Sequence, residues 1–256
     1  MLILKNINKS FSIQNREKVL FEGLNLQVEK GQFVCLLGSN GSGKTTLLNL
    51  VCGNISPDSG NIFLNGQEIT NDKAYKRARK IGRVFQNPSM GICADMTVFE
   101  NLSLANNKNK GYGLRFCVDR RKRDYFQTKL ESFGMDLENS LYVKAGSLSG
   151  GQKQALALLI ATMEDIELLI LDEHTAALDP SASNTIMEIT GNIIRDSKIT
   201  ALMVTHDLEY ALNYGDRLIM MHRGSVIMDK EGIEKSRLDV AAMQNYFDGL
   251  NYPAAV

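Results

Sequence analysis

The sequence predicts an α/β fold: a core of parallel strands, an antiparallel β flank and an inserted helical segment. Three observations carry that reading. A near-continuous apolar run, "QFVCLLG" (32–38), is followed by a glycine-rich loop and the helical pattern "KTTLLNLVCG". Two more short apolar runs, "LLILD" (168–172) and "ALMVT" (201–205), each end at a polar residue, with a helical stretch over about 181–196 between them. From about 72 to 160 the strand-like pattern gives way to helical spacing. Short apolar runs of this kind suit strands buried on both faces of a parallel sheet.

Taken in order, "LILKNI" opens the chain as a strand. Leu24, Leu26 and Val28 alternate with Asn25 and Gln27, the period of a strand with one buried face. Asn65-Gly66 between the apolar flanks of "NIFLNGQEI" (61–69) signals a hairpin turn. In the middle segment, "TVFENLSLA" reads as a helix, and Phe126, Leu130 and Phe133 recur at i, i+4 and i+7. "ALALLIATM" is apolar nearly all round, so it is expected to be a buried helix. "LIMMHRGSVIMD" reads as a late hairpin, and the tail from about 231 as helix-like.

The totals exclude several classes. With 256 residues, 44% of them hydrophobic, the chain can bury about 70–75% of its unfolded surface without cross-links. Four scattered cysteines, Cys35, Cys52, Cys93 and Cys117, lack metal-ligand spacing and suit a reducing compartment. Cys35, within an apolar run, is expected to be a buried thiol. No apolar run approaches the roughly 18 residues of a membrane span, and the opening residues are too polar for a signal peptide. The 29 basic and 29 acidic residues cancel, so a general attraction for nucleic acid is not indicated. "RRKR" (120–123) is either the solvated start of a helix or a contact for anionic lipid.

"GSNGSGKT", Gly38 to Thr45, fits G-x-x-x-x-G-K-[ST] in its required strand–loop–helix context. Its glycines let backbone N–H groups curl around phosphates, and the helix N-terminus adds partial positive charge. Lys44 would reach the β/γ-phosphates, and Thr45 would offer its hydroxyl to Mg²⁺. At the end of "LLILD", Asp172 would hold that metal and Glu173 would polarise the attacking water; phosphoryl transfer needs little more than such positioning and charge. Taken singly, Gln86 in "VFQNP", His206 in "VTHD" and Phe11 in "NKSFS" could each be structural. His174 reads as an ordinary loop residue, since no histidine or cysteine nearby in sequence completes a metal site.

A second glycine pair stands in "SLSGGQKQ" (147–154). The order is now an aromatic at 11, the cradle at 38–45, Gln86, "LSGGQ" at 148–152, Asp172-Glu173, "ALD" at 177–179 and His206. Over about residues 1–230 this order resembles the nucleotide-binding subunit of ABC transporters. The resemblance implies one ABC ATPase domain over 1–230. Residues 1–86 and 161–230 would form a RecA-like P-loop core with its β flank, 87–160 a helical subdomain, and 231–256 a C-terminal helical tail. It implies ATP and Mg²⁺ as cofactors. ATP would meet Phe11 by adenine stacking, then the cradle Gly38, Ser39, Asn40, Gly41, Ser42, Gly43, Lys44, Thr45 and Thr46. Gln86 would join Thr45 and Asp172 at the metal, while Glu173, His206, Gln86 and Lys44 would serve hydrolysis. Ser149, Gly150, Gly151 and Gln152 would close over the ATP of a partner cassette in a head-to-tail homodimer or pseudo-dimer, with Asp179 at the interface.

The sequence departs from the family where an arginine-bearing helix usually follows "LSGGQ", where His174 replaces a proline, and in "AALD". These departures suggest a subfamily, and "DEHTAALDP" (172–180) with "MVTHDLEYALNYGDRLIMMHRG" (203–224) resembles the ATPases of bacterial importers linked with amino-acid uptake, tryptophan and tyrosine included, that work with a binding lipoprotein. The expectation is a peripheral ATPase on the cytoplasmic face of the cell membrane, with separate permease chains that dock near "VFQNPSMGICADMTVFENLSLA" and no nucleic-acid partner. A two-component exporter and a soluble ABC-type ATPase remain the alternatives.

Overall fold

The computed structural model describes residues 1–13, 16–108 and 118–251. They fold as two compact units, Met1–Ala78 with Ser197–Val256, and Arg79–Asp196.

The first unit opens with two long strands, β1 (Leu2–Ile13) and β2 (Arg16–Val28), paired antiparallel with irregularities after Leu4 and Ile7. The expected alternation holds: Leu24, Leu26 and Val28 are buried while Asn25 and Gln27 are exposed. Next come β3 (Phe33–Gly38), α1 (Lys44–Cys52), β4 (Ser59–Leu64), β5 (Gln67–Glu68) and the single turn α2 (Ala74–Arg77). Asn65 and Gly66 both take positive φ (48° and 79°) between β4 and β5, the turn that the sequence signalled. One antiparallel sheet has the order β2-β1-β4-β5.

The second unit begins with β6 (Ile81–Val84). Three helices follow: α3 (Val98–Ala105), α4 (Arg123–Glu131) and α5 (Gly150–Thr162). Then come β7 (Leu168–Asp172) and α6 (Pro180–Ser197). β6 and β7 pair in parallel, with Arg83 opposite Ile170. Thr97 and Glu100 close a capping box at the start of α3. α4 contains Phe126 and Leu130, as the spacing required, but stops before Phe133. Gly134 takes φ +65°, so the chain turns there and Phe133 is buried from outside the helix. α5 is buried along most of its length, as its apolar run demands. The 120–122 segment is a 3₁₀ turn leading into α4, with Arg121 paired to Asp119 in solvent; residues 109–117, including Cys117, lie outside the described residues.

The chain then returns to the first unit through β8 (Thr200–Val204), α7 (Leu208–Tyr214), β9 (Arg217–His222), β10 (Ser225–Glu231), α8 (Gly232–Ser236) and α9 (Val240–Asn251). β3 lies between β8 and β9, parallel to both, and every residue of β3 is buried. β9 and β10 form the late hairpin. Cys35, at the centre of β3, is fully buried, and that burial pushes its thiol up to about 12.

One long-range feature fixes the helix behind the glycine loop. Arg77 is only 3% exposed, and its guanidinium donates to the carbonyls of Leu50 (2.7 Å), Val51 (3.0 Å), Thr70 (2.8 Å) and Asp72 (2.9 Å). Two of these carbonyls belong to the last turn of α1, where negative dipole charge collects; the Leu50 carbonyl also accepts from the Gly53 N–H at 3.3 Å. Arg77→Met therefore strands several buried acceptors. It is expected to lower unfolding free energy by about 3 kcal/mol, a value typical of losing charged buried hydrogen bonds. Denaturant titration of the variant beside the parent protein checks this.

Candidate functional site

The candidate residues fall in both units. Phe11, the glycine loop and His206 belong to the first; Gln86, residues 149–152, Asp172, Glu173 and Asp179 belong to the second.

In the first unit the loop is shaped by two close approaches. Gly38 ends β3 with φ 152°, and a Cβ there would stand 2.3 Å from the Met221 carbonyl oxygen on β9. Gly43 takes φ 105° at the N-cap of α1, where a Cβ would lie 2.6 Å from the Phe21 ring. Neither position tolerates a side chain. A consequence follows for α1: its N-cap has no side chain, so no side-chain hydrogen bond closes the helix end. Its first-turn N–H groups are left for an external acceptor, which suits an anion. Lys44 is buried, and its ammonium donates to the carbonyls of Gly38 (2.7 Å) and Ser39 (3.1 Å), holding positive charge inside the loop. The Ser42 hydroxyl is buried and makes no hydrogen bond among the described residues. An orphaned polar atom inside a cationic loop fits a phosphate receptor.

Gly38, Ser39 and Asn40 line a cleft of about 500 Å³ together with His206, and Gln244 and Phe247 of α9 form part of its wall. The structure thus brings the loop and His206 together, and adds the C-terminal helix, which the sequence left without a role. Thr45 is exposed and Thr46 half-buried on α1. Phe11 stands on the antiparallel sheet, half-buried, with the Lys9 ammonium 5.4 Å from its ring centroid. Lys9 is itself held by Asp58 at 2.6 Å.

In the second unit Asp172 closes β7, and Glu173 follows at φ 48°. A non-glycine residue in this left-handed region carries strain. Arg83 of β6 donates to one oxygen of Asp172, Oδ2, at 2.7 Å. Gln86 is exposed just beyond β6. These donors are oxygens, the set that a hard cation such as Mg²⁺ takes. His174 is buried with its Nε2 3.2 Å from the Thr190 hydroxyl of α6, and burial lowers its pKa to about 4, so it packs as a neutral side chain.

The second glycine pair opens α5. Ser149 is its N-cap: the Ser149 hydroxyl accepts from the Gln152 N–H (3.2 Å), and the Gln152 side-chain oxygen accepts from the Ser149 N–H (3.1 Å). This is a capping box, readable in the sequence as S-x-x-Q. Gln152 also donates to the Met135 carbonyl (3.0 Å), so both ends of its amide are engaged within the chain. Ser149 and Gly150 are exposed, and the serine O–H is left to donate. Asp179 caps the start of α6 by accepting from the Ala182 N–H (3.0 Å). Two polar side chains carried no sequence signal: Arg83, whose side chain is 12% exposed, and the buried Gln154 of α5, which donates to the Phe85 carbonyl (3.2 Å).

Comparison with known proteins places this geometry. The ABC transporter family profile matches residues 21–176. The tyrosine transport ATP-binding protein of Clostridioides difficile (strain R20291) is 47% identical over 249 residues, spanning 97% of this chain and 99% of that protein. The bicarbonate transport ATP-binding protein CmpD of Synechococcus elongatus is 34% identical over 87% of this chain and 76% of its own length. Among solved structures, the dimeric bacterial ABC transporter cassette MJ0796 superposes with a TM-score of 0.76 at 29% identity, covering 90% of this chain and 98% of the cassette. A second structure of that cassette, also dimeric and bound to ADP and phosphate, gives a TM-score of 0.75. Among the described residues no helix is long and apolar enough to cross a membrane. The α/β core is RecA-like, and the chain belongs to the ABC transporter family as an ATP-hydrolysing cassette.

Proposed function

We propose that this cassette drives a binding-protein-dependent importer of a small solute, with an aromatic amino acid such as tyrosine as its cargo class. The ATP-binding half of the reading rests on one feature: a helix N-terminus left uncapped by Gly43, with the buried Lys44 ammonium inside the loop. The cargo half rests on the near full-length likeness to the tyrosine transport ATP-binding protein. The partners are a second, identical or similar cassette, separate transmembrane permease chains at the cytoplasmic face of the membrane, and an extracytoplasmic binding lipoprotein. The functional division follows the sequence reading: core at 1–86 and 161–230, helical subdomain at 87–160, tail from 231.

The residues take these roles. Phe11 stacks on the adenine. The backbone of 38–46 and the Lys44 ammonium hold the phosphates. Thr45, Gln86 and Asp172 would hold Mg²⁺, which supplies charge neutralisation on the phosphate oxygens when bound. Glu173 accepts the proton of the attacking water, and His206 donates to a γ-phosphate oxygen. Ser149, Gly150 and Gly151 of one protomer close over the ATP of the other, with Gln152 holding that helix end in shape and Asp179 near the shared surface. Two ATP molecules then join two surfaces, and hydrolysis removes the charge that holds them.

Three experiments test this. Glu173→Gln should leave ATP binding intact, cut phosphate release by about 10²- to 10⁴-fold as loss of a general base does, and accumulate an ATP-dependent dimer in size-exclusion chromatography. Wild-type turnover would remove Glu173 from the base role. Ser149→Arg should abolish turnover while dilute monomer still binds an ATP analogue in fluorescence titration; loss of monomer binding would show that Ser149 serves its own chain's nucleotide. Reconstituted with its co-purifying permease and lipoprotein, the cassette should show ATPase activity stimulated by tyrosine. Stimulation by none of the aromatic amino acids would overturn the cargo class.

A further inference from the structure

Arg83 is a largely enclosed cation whose role neither the phosphate cradle nor the acidic pair requires. Its Cα pairs with that of Ile170 in the parallel β6–β7 register. Side chains alternate along a strand, so Ile170 and Asp172 share a face, and Arg83, pointing to the same face, reaches one pleat along to Asp172. The guanidinium donates to Asp172 Oδ2 at 2.7 Å, with the two side chains only 12% and 13% exposed. The guanidinium carbon also lies 4.7 Å from the centroid of the Phe85 ring, which holds the cation in place from a second side. Phe85 is anchored in turn: its carbonyl accepts from Gln154, a fully buried amide on α5. Arg83 is thus a well-held counter-ion, and its engagement of a single carboxylate oxygen leaves Oδ1 open to other partners.

We infer that Arg83 is a positioning residue that makes Asp172 selective for a metal–nucleotide chelate over a free divalent cation. A carboxylate paired with a largely enclosed guanidinium forms a unit of little net charge, so an isolated divalent cation gains little from it and is repelled by the guanidinium. A cation that arrives on a triphosphate brings its own anionic ligands and needs from Asp172 only the remaining oxygen. Replacing Arg83 with a neutral residue leaves a part-buried carboxylate without its counter-ion, and a free cation then becomes its natural partner. This inference rests on the metal role proposed for Asp172.

The test uses Mn²⁺ as the probe, read by electron paramagnetic resonance on the full chain without nucleotide and with a non-hydrolysable ATP analogue. Arg83→Met and Arg83→Gln should bind nucleotide-free Mn²⁺ at least about tenfold more tightly than the parent, and Arg83→Lys, which keeps the charge, should match the parent. The Gln and Lys variants decide the question if the Met variant does not fold. Adding Asp172→Asn to Arg83→Gln should erase the gain. Unchanged or weaker free Mn²⁺ binding in Arg83→Gln overturns the inference. Asp172→Asn alone separates the two readings. If it leaves analogue-dependent Mn²⁺ binding untouched, the metal role of Asp172 fails. If it removes that binding while Arg83→Gln gains nothing, only the counter-ion role fails.

Discussion

An α-helix begins with N–H groups that its own hydrogen bonding cannot satisfy, and the functional architecture of this chain depends on how two helices answer that deficit. At α1 the deficit is preserved. Gly43 provides no capping side chain and the adjacent loop is too tightly pressed against β9 and Phe21 to carry one. Preserving it has a cost in helix stability, since a serine, aspartate or asparagine cap contributes about 1 kcal/mol. The compensation lies at the opposite end, where Arg77 satisfies the last carbonyls of the same helix. A helix that is open at the phosphate end and clamped at the far end can be short and still stay in place.

At α5 the deficit is partly closed. The Ser149–Gln152 capping box satisfies two of the end's donors within the chain and orients the serine hydroxyl outward. The two glycine-bearing helix ends are therefore not duplicates. The first is a full receptor, with a buried ammonium and an orphaned hydroxyl. The second is a rigid, exposed edge with a small donor at its tip, suited to completing a site rather than making one.

What the sequence made legible follows from this contrast. Loop chemistry is local: Gly38 to Thr45 between an apolar run and a helical pattern leaves one conformation, and Asn65-Gly66 or the alternation at 24–28 declares itself within a few residues. Two of the missed features are enclosed polar contacts between distant segments. Arg77 reaches α1 across 27 residues and Arg83 reaches Asp172 across 89. In the sequence both look like solvated charges, because arginine is mostly exposed and nothing local marks the exceptions. The α4 boundary was misjudged for a different reason: Phe133 fits the helical period and is buried, but Gly134 stops the helix first, so the periodicity reported burial rather than helix. His174 shows the reverse case, a residue without sequence context that burial and Thr190 turn into a neutral packing group.

The end of β7 draws these threads together. It carries two consecutive carboxylates and a histidine, a charge density that a strand terminus would ordinarily expose to water. Here each is handled differently. Asp172 pairs with Arg83, His174 is kept uncharged by burial, and Glu173 sits on a left-handed backbone turn. In the proposed site, Arg83 holds Asp172 through Oδ2, so the other carboxylate oxygen is the one offered to a phosphate-bound cation. The division of labour proposed for the two carboxylates thus rests on one largely enclosed guanidinium and one left-handed φ.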